Sequence, residues 1–297
     1  MRCFYFFIAI IFFPFSSISS QVYSETIPQY LQDISVTIQS SRAQGSGVYK
    51  VTKDGTVWVL TCGHVVEDLR QVREVLDGKG GKKTAIEFED ALIKQFISED
   101  GRLVGETNYS AEIIRYSDAY YGEDLAVLRL RTKKFKPASA KFYLEKKIPA
   151  IGVDLIHCGS LLGSFGSNSI TTGIVSQHGR VFQKKVYDQT TCVSYPGSSG
   201  GVVALKEDGR YVGMIVRGAV GGFNLVVPIR RIHAWCEKNG MDFILDDSKE
   251  VPTEEKLRSF PIECESGEAG LNSSAAPRRM PDAEHKFLIY PLKIKSQ

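Results

Sequence analysis

The sequence predicts an all-β protein with one clear helix near residue 230, and three observations support this. Short runs of β-branched and aromatic residues recur from residue 45 onward, separated by Gly, Asp and Asn. Two such runs flank Lys53-Asp54-Gly55, which is a hairpin signal. Helical periodicity is scarce in the same region. Many short strands with turns between them are typical of a barrel or a sandwich.

The predicted elements follow from these runs. The helix, over 228–239, begins with proline, places Ile232 and Trp235 on one face and stops before Gly240. A second helical stretch is a candidate within 64–76. The predicted strands are 47–51, 56–60, 84–88, 112–116, 125–130, 153–158, 169–176, 185–193, 201–205, 211–216 and 223–227.

Changes in composition divide the chain into parts. A Lys-rich, weakly patterned stretch over 132–147 predicts the connection between two β halves. The last part is rich in Glu, Ser, Pro and Lys, which predicts a polar, flexible tail. The predicted organisation is a signal peptide over 1–20, a polar lead-in over 21–44, a β-rich domain over 45–240 (halves of about 45–132 and 148–228) and a tail over 241–297.

The first twenty residues have the pattern of a cleaved signal peptide. Arg2 precedes an apolar run over 3–15, and Ser and Ile fill 16–20. The run is shorter than the roughly 20 apolar residues that span a bilayer. An uncleaved anchor is the alternative. We therefore expect a secreted or periplasmic protein with no stable membrane insertion once the signal is removed.

The overall composition is that of a globular protein with an ordinary core. Hydrophobic residues make up 43% and charged residues 24% of the chain. The net charge is only +3, and acids interrupt the basic clusters. The composition therefore gives no electrostatic reason to expect a nucleic-acid partner.

Five cysteines remain after Cys3 leaves with the signal, which allows at most two disulfides in an oxidising compartment. Their wide spacing excludes a paired C-x-x-C motif, so we expect no zinc site and no other cofactor. Cys158 and Cys192 fall on predicted strands of the same half, and we predict a disulfide between them.

Three islands carry the chemistry of a nucleophilic serine. His64 ends an apolar strand, Asp124 opens another, and Ser199 lies in the glycine-rich turn over 196–201. A serine hydroxyl needs a neighbouring base to become a nucleophile, and that base needs a group that orients it. Alone, each island is also compatible with a core histidine, a turn acid or a glycine-rich hairpin. Their joint occurrence in the order His, Asp, Ser predicts a catalytic triad.

The glycines of the third island have their own function. A tight turn there lets the backbone N–H groups of Gly197 and Ser199 converge on one oxygen. Such an oxyanion hole stabilises the charge that develops when a carbonyl is attacked.

At these residues the chain resembles trypsin-like serine proteases, and it is most similar to the HtrA-type and glutamyl-endopeptidase-like branch. The resemblance covers 45–239 and implies a chymotrypsin-like fold of two perpendicular six-stranded antiparallel barrels, with a C-terminal helix. It places His64 and Asp124 on the first barrel and Ser199 on the second. The motifs that carry it are Gly45-Ser46-Gly47, Asp124-Leu125-Ala126-Val127-Leu128, Thr171-Thr172-Gly173-Ile174-Val175-Ser176 and Tyr195-Pro196-Gly197-Ser198-Ser199-Gly200-Gly201.

Departures from the family pattern concern activation and the surroundings of the histidine. Cys62 stands where the family usually has a small residue such as alanine, which puts a thiol close to the active site. Ser198 stands where digestive members carry an acid that pairs with a freed N-terminus. We therefore expect no maturation through that salt bridge.

The resemblance also implies a primary specificity pocket. Val193 would form its floor, and Ile215, Val216 and Phe223 would lie in its walls. None of these residues is acidic, so preference for Lys or Arg is not expected. We expect medium-sized apolar side chains to be accepted.

The leading hypothesis is an exported endopeptidase that hydrolyses peptide or protein substrates through an acyl-enzyme on Ser199. A pseudoprotease that binds without cleaving is the main alternative, although the intact triad and glycine turn argue against it. A protease dedicated to one partner, or to its own processing, is a further alternative.

Overall fold

Strands dominate the computed structural model, which describes residues 26–76, 80–99, 102–135, 137–219, 222–264, 290–291 and 294–295. The predicted signal peptide over 1–20 lies outside the described residues. None of the described helices has the length and apolar character needed to cross a bilayer. The helices and strands are, in chain order, α1 Ile27–Ile34, β1 Ser35–Gln39, β2 Ala43–Val51, β3 Val57–Thr61, α2 Gly63–Val66, β4 Arg70–Leu76, β5 Lys82–Phe88, β6 Ala91–Glu99, β7 Arg102–Tyr116, β8 Ala126–Leu130, β9 Asp154–Leu161, β10 Gly166–Phe182, β11 Lys185–Thr190, β12 Val202–Leu205, β13 Tyr211–Ala219, β14 Phe223–Pro228, α3 Ile229–Lys238, α4 Glu254–Ser259, β15 Tyr290–Pro291 and β16 Ile294–Lys295.

Twelve of these strands form two closed six-stranded rings. The first runs β1-β6-β7-β8-β3-β2 and closes because β2 also pairs with β1. The second runs β12-β9-β10-β11-β14-β13 and closes through β12 and β13. Every pairing within the two rings is antiparallel. Each ring strand therefore has a neighbour on both sides, although β2 and β13 extend beyond the neighbouring strands β3 and β12. The predicted all-β architecture of two antiparallel barrels is confirmed.

The helix predicted over 228–239 is α3, and the candidate stretch over 64–76 is helical only at its start, in α2 and in a 3-10 turn over Glu67–Leu69. The residues after that turn form β4, which pairs along its whole length with β5.

The structure adds a helix and a strand to the segment that the sequence describes as a lead-in. Thr26 caps α1 through a capping box with Gln29. β1 then pairs with both β2 and β6 and is part of the first barrel. Its polar residues are buried because they have partners: Thr37 Oγ1 lies 2.5 Å from Ser160 Oγ on the second barrel.

Part of the segment described as a tail is packed on the first barrel. The Phe243 ring meets the Trp58 ring edge-on, with centroids 5.3 Å apart. Farther along, Tyr116 N–H donates to the Ile262 carbonyl at 2.7 Å, and Cys264 N–H donates to the Tyr116 carbonyl at 2.9 Å. Residues 241–264 therefore cover an apolar surface of the barrel.

The predicted disulfide between Cys158 and Cys192 is wrong. Neither Cys158 nor Cys192 forms a disulfide. Cys158 lies on β9 and Cys192 follows β11, and β10 separates these two strands in the sheet. Their side chains also belong to different apolar clusters. Placement in the same half of the chain did not make them neighbours.

Candidate active site

The polypeptide positions His64 and Asp124 from two neighbouring strands. β3 and β8 pair side by side; His64 follows β3 in the short helix α2, and Asp124 stands just before β8. The backbone of Asp124 has φ 57°, a left-handed conformation that Asp and Asn adopt more readily than most residues. Both side chains are almost completely buried.

His64 and Asp124 contact each other through three pairs of atoms. His64 Nδ1 lies 2.9 Å from Oδ1 and 3.0 Å from Oδ2 of Asp124, and the His64 backbone N–H donates to Oδ1 at 2.9 Å. A carboxylate can only accept, so Nδ1 carries the proton. This tautomer leaves Nε2 as the nitrogen that can act as a base.

The Asp124 carboxylate stays ionised despite its burial. Desolvation alone would raise its pKa, but the charge and hydrogen bonds of His64 and the charge of Arg217 outweigh desolvation. Its pKa therefore lies well below the ordinary value. The site contains a permanent buried negative charge that orients the imidazole.

The serine turn is hydrogen-bonded to β2, which is in turn hydrogen-bonded to β3, the strand that leads to His64. Ser46 N–H donates to the Ser199 carbonyl at 2.7 Å, and Thr61 Oγ1 donates to the Ser46 carbonyl at 2.7 Å. A Cβ on Gly200, whose φ is +87°, would clash with Thr61 and Ser46. The turn therefore requires glycine where it approaches the first barrel. In this structure the Ser199 hydroxyl donates to the Val216 carbonyl at 3.3 Å.

Gly197 shapes the turn from the other side. Its φ is +98°, and a Cβ there would clash with the Ser160 carbonyl, while Ser46 Oγ donates to the Gly197 carbonyl at 2.7 Å. The N–H groups of Gly197 and Ser199 donate to no other residue among those the structure describes. They are available as the paired donors that an oxyanion hole needs.

Arg217 is a site residue that the sequence did not reveal. Its Nη2 lies 3.2 Å from Asp124 Oδ2 and 3.4 Å from the Ala119 carbonyl, and its guanidinium lies 5.9 Å from the centre of the Phe182 ring. Only 3% of its side chain is exposed. Burial alone would lower the pKa of Arg217, but the charge of Asp124, together with the charge and hydrogen bond of Tyr187, raises it. Asp124 therefore has two cationic or proton-donating partners, His64 and Arg217.

The four residues assigned to the specificity pocket have different environments. Val193 is 44% exposed and Phe223 is half-buried. Ile215 and Val216 are fully buried, Ile215 within the apolar cluster of the second barrel that includes Val226. Val216 contributes its carbonyl to Ser199 rather than an exposed side chain.

Cys62 precedes His64 by two residues and is fully buried. Its Sγ is buried 3.4 Å from the Ile215 carbonyl and 3.5 Å from Met214 Sδ. Burial, followed by the charge of Asp124, raises the pKa of this thiol well above its ordinary value. The thiol therefore stays protonated and unreactive at neutral pH. Within the described ranges, no three His, Cys, Asp or Glu residues are grouped as metal ligands.

His157 lies next to the serine turn, and we expect its titration to make the stability of the protein depend on pH. A Cβ on Gly201 would lie 2.7 Å from Cε1 of the His157 ring, and Nδ1 lies 2.8 Å from the Val202 carbonyl, so Nδ1 carries the proton. Burial lowers the pKa of His157 to about 4. Between about pH 6.5 and 4 the unfolded chain therefore binds a proton that the folded chain does not.

We expect the free energy of unfolding to fall as the pH drops through that range, by up to about 1.4 kcal/mol per pH unit from this residue. Denaturant unfolding at pH 7.0 and pH 4.5 measures the effect, with His157→Gln as the comparison, since Gln cannot titrate. An equal loss of stability in both proteins would contradict the assignment to His157.

Comparison with known proteins shows that the chain is similar to peptidases. The profile of the trypsin-like peptidase domain matches residues 45–214. Do-like protease 14 of Arabidopsis thaliana is 26% identical over 221 residues, which are 71% of this chain and 44% of the plant protein. The chain thus spans less than half the length of this curated relative.

Among solved structures, the crystal structure of Deg5 superposes with a TM-score of 0.50 at 20% identity, covering 70% of this chain and 89% of Deg5. A serine endoprotease from Yersinia pestis gives a TM-score of 0.49 at 20% identity, covering 70% of this chain and 65% of that protein. At this identity, the match to Deg5 shows a shared fold.

Proposed function

Because this chain belongs to the family of trypsin-like peptidase domains, we propose that it is a serine endopeptidase with Ser199 as nucleophile, His64 as general base and Asp124 as the orienting carboxylate. The observation that carries the proposal is the bidentate contact between Asp124 and His64 Nδ1, which fixes the tautomer that a base requires. The contact is made beside a glycine turn that presents Ser199.

The proposed reaction begins when the Ser199 hydroxyl rotates from the Val216 carbonyl towards His64. His64 Nε2 removes the proton as Oγ attacks the substrate carbonyl, and Asp124 stabilises the imidazolium that results. The N–H groups of Gly197 and Ser199 bind the oxyanion; each such donor typically lowers the barrier by about 2.7–4 kcal/mol. His64 then protonates the leaving amine, and water hydrolyses the acyl-enzyme by the same route.

The proposal extends to substrate and location. The substrate is a peptide or a protein, and the exposed Val193 side chain supports acceptance of a medium-sized apolar residue. Export through the N-terminal signal peptide fits the sequence pattern of residues 1–20. The main alternative, a binding protein without catalysis, keeps the same fold and predicts an unreactive Ser199.

Labelling with a fluorophosphonate probe tests the proposal, because the probe reacts only with an activated serine. We expect wild-type protein to be labelled and Ser199→Ala to be unlabelled. Ser98→Ala, which removes an exposed hydroxyl on β6, is the matched control and should label like wild type. Folded wild-type protein that takes up no probe would favour the binding protein.

A further inference from the structure

The last two strands of the chain add to both barrels. β15 pairs antiparallel with β13, with Tyr290 opposite Gly218 and Pro291 opposite Arg217. β16 pairs antiparallel with β2, with Ile294 opposite Gln44 and Lys295 opposite Ala43. Only two residues separate β15 from β16 in the sequence. One short stretch of chain therefore pairs with a strand of each barrel.

The two strands that receive this stretch lie on either side of Ser199. On β13, Val216 immediately precedes Arg217, and its carbonyl accepts the Ser199 hydroxyl. On β2, Gly45 immediately follows Gln44, and a Cβ there would lie 3.2 Å from the Ser199 carbonyl. The pairings of β15 and β16 therefore flank the nucleophile.

The residue types suit this pairing. In an antiparallel ladder, hydrogen-bonded and non-hydrogen-bonded positions alternate. Pro291 has no N–H to donate, so it fits the non-hydrogen-bonded position opposite Arg217. The hydrogen bonds on this side are then expected between Tyr290 and Gly218. This is recognition by strand addition, in which main-chain hydrogen bonds supply affinity.

We propose that β15 and β16 occupy the active-site cleft of the same chain as an intramolecular ligand, through their pairings with β13 and β2. The inference rests on the proposed function, since it identifies the cleft by Ser199. A covalently tethered occupant has a high effective concentration, so another substrate enters only when β15 and β16 leave. The protein limits its own activity through its C-terminal residues.

Two full-length variants test the occupancy. Tyr290→Pro removes the N–H that we expect to pair with Gly218, and Ile294→Pro removes the N–H of the residue opposite Gln44. We expect each to raise kcat/KM for a short chromogenic peptide by at least tenfold. Ser296→Pro, which follows β16 in the sequence, is the matched control and should hydrolyse the peptide at the wild-type rate. A synthetic peptide of residues 286–297 should inhibit Tyr290→Pro competitively.

A binding measurement separates this inference from the proposed function. In the Ser199→Ala background, the fluorescent peptide 286–297 should bind the Tyr290→Pro variant at least tenfold more tightly than the parent. Tighter binding without hydrolysis in any variant would support occupancy and overturn the proposed function. Hydrolysis at equal rates in all variants, with equal peptide binding, would overturn the occupancy and leave the proposed function standing.

Discussion

Replacing Asp124 with Asn is expected to lower kcat about 10⁴-fold. The carboxylate accepts the His64 Nδ1 proton through both of its oxygens. The amide presents an NH₂ group to Nδ1, which favours the tautomer with its proton on Nε2, and this nitrogen can then no longer act as a base. Asn also tolerates the φ of 57° at this position, so the backbone should be retained.

Steady-state kinetics of purified Asp124→Asn measure this loss, and near-UV circular dichroism checks that the variant is folded. Asp208→Asn, which changes a carboxylate on a surface turn between β12 and β13, is the control and should keep wild-type kcat. A loss smaller than tenfold in a folded Asp124→Asn protein would show that Asp124 does not orient the base.

The residues of this pair could be found from sequence because local signals place them. His64 follows a run of five apolar and β-branched residues that forms β3, and Asp124 precedes the similar run of β8. The serine turn is visible because its backbone geometry requires glycine at positions 197 and 200. Where a residue's role is set by its own stretch of chain, a pattern is enough.

The features that were not predicted depend on distant partners. Thr37 reads as a solvated polar residue, yet it is buried because Ser160, 123 positions away, satisfies its hydroxyl. Phe243 reads as part of a polar tail, yet it packs on Trp58. A hydropathy pattern cannot identify a partner in another element, so β1 and residues 241–264 were missed for one physical reason.

Arg217 is the most consequential residue of this kind. It ends a strand pattern as any exposed arginine could, and only the fold places its guanidinium against Asp124, 93 positions away. A buried charge is tolerated only when it is paired, so the arginine and the aspartate depend on each other. Arg217 contacts the Asp124 carboxylate rather than a reacting atom. We therefore assign it the role of a positioning residue for that carboxylate.

Replacing Arg217 with Met is therefore expected to destabilise the protein by about 3 kcal/mol, the lower end of the range for breaking a buried ion pair, because His64 still contacts Asp124. Denaturant unfolding measures this change. Arg217→Lys keeps the charge and should recover part of the stability, although it cannot reproduce the planar guanidinium that contacts both Asp124 and the Ala119 carbonyl.

A purely structural arginine would change stability alone, whereas a positioning residue also changes the pH dependence of catalysis. With Arg217→Met, the acidic limb of the kcat/KM profile should move to higher pH, because loss of a nearby positive charge favours the imidazolium of His64. Arg217→Lys should move it less. The double variant Asp124→Asn with Arg217→Met leaves neither charge unpaired, so its stability loss should be smaller than the sum of the two single losses. Additive losses together with an unshifted profile would mean that Arg217 and Asp124 are not coupled.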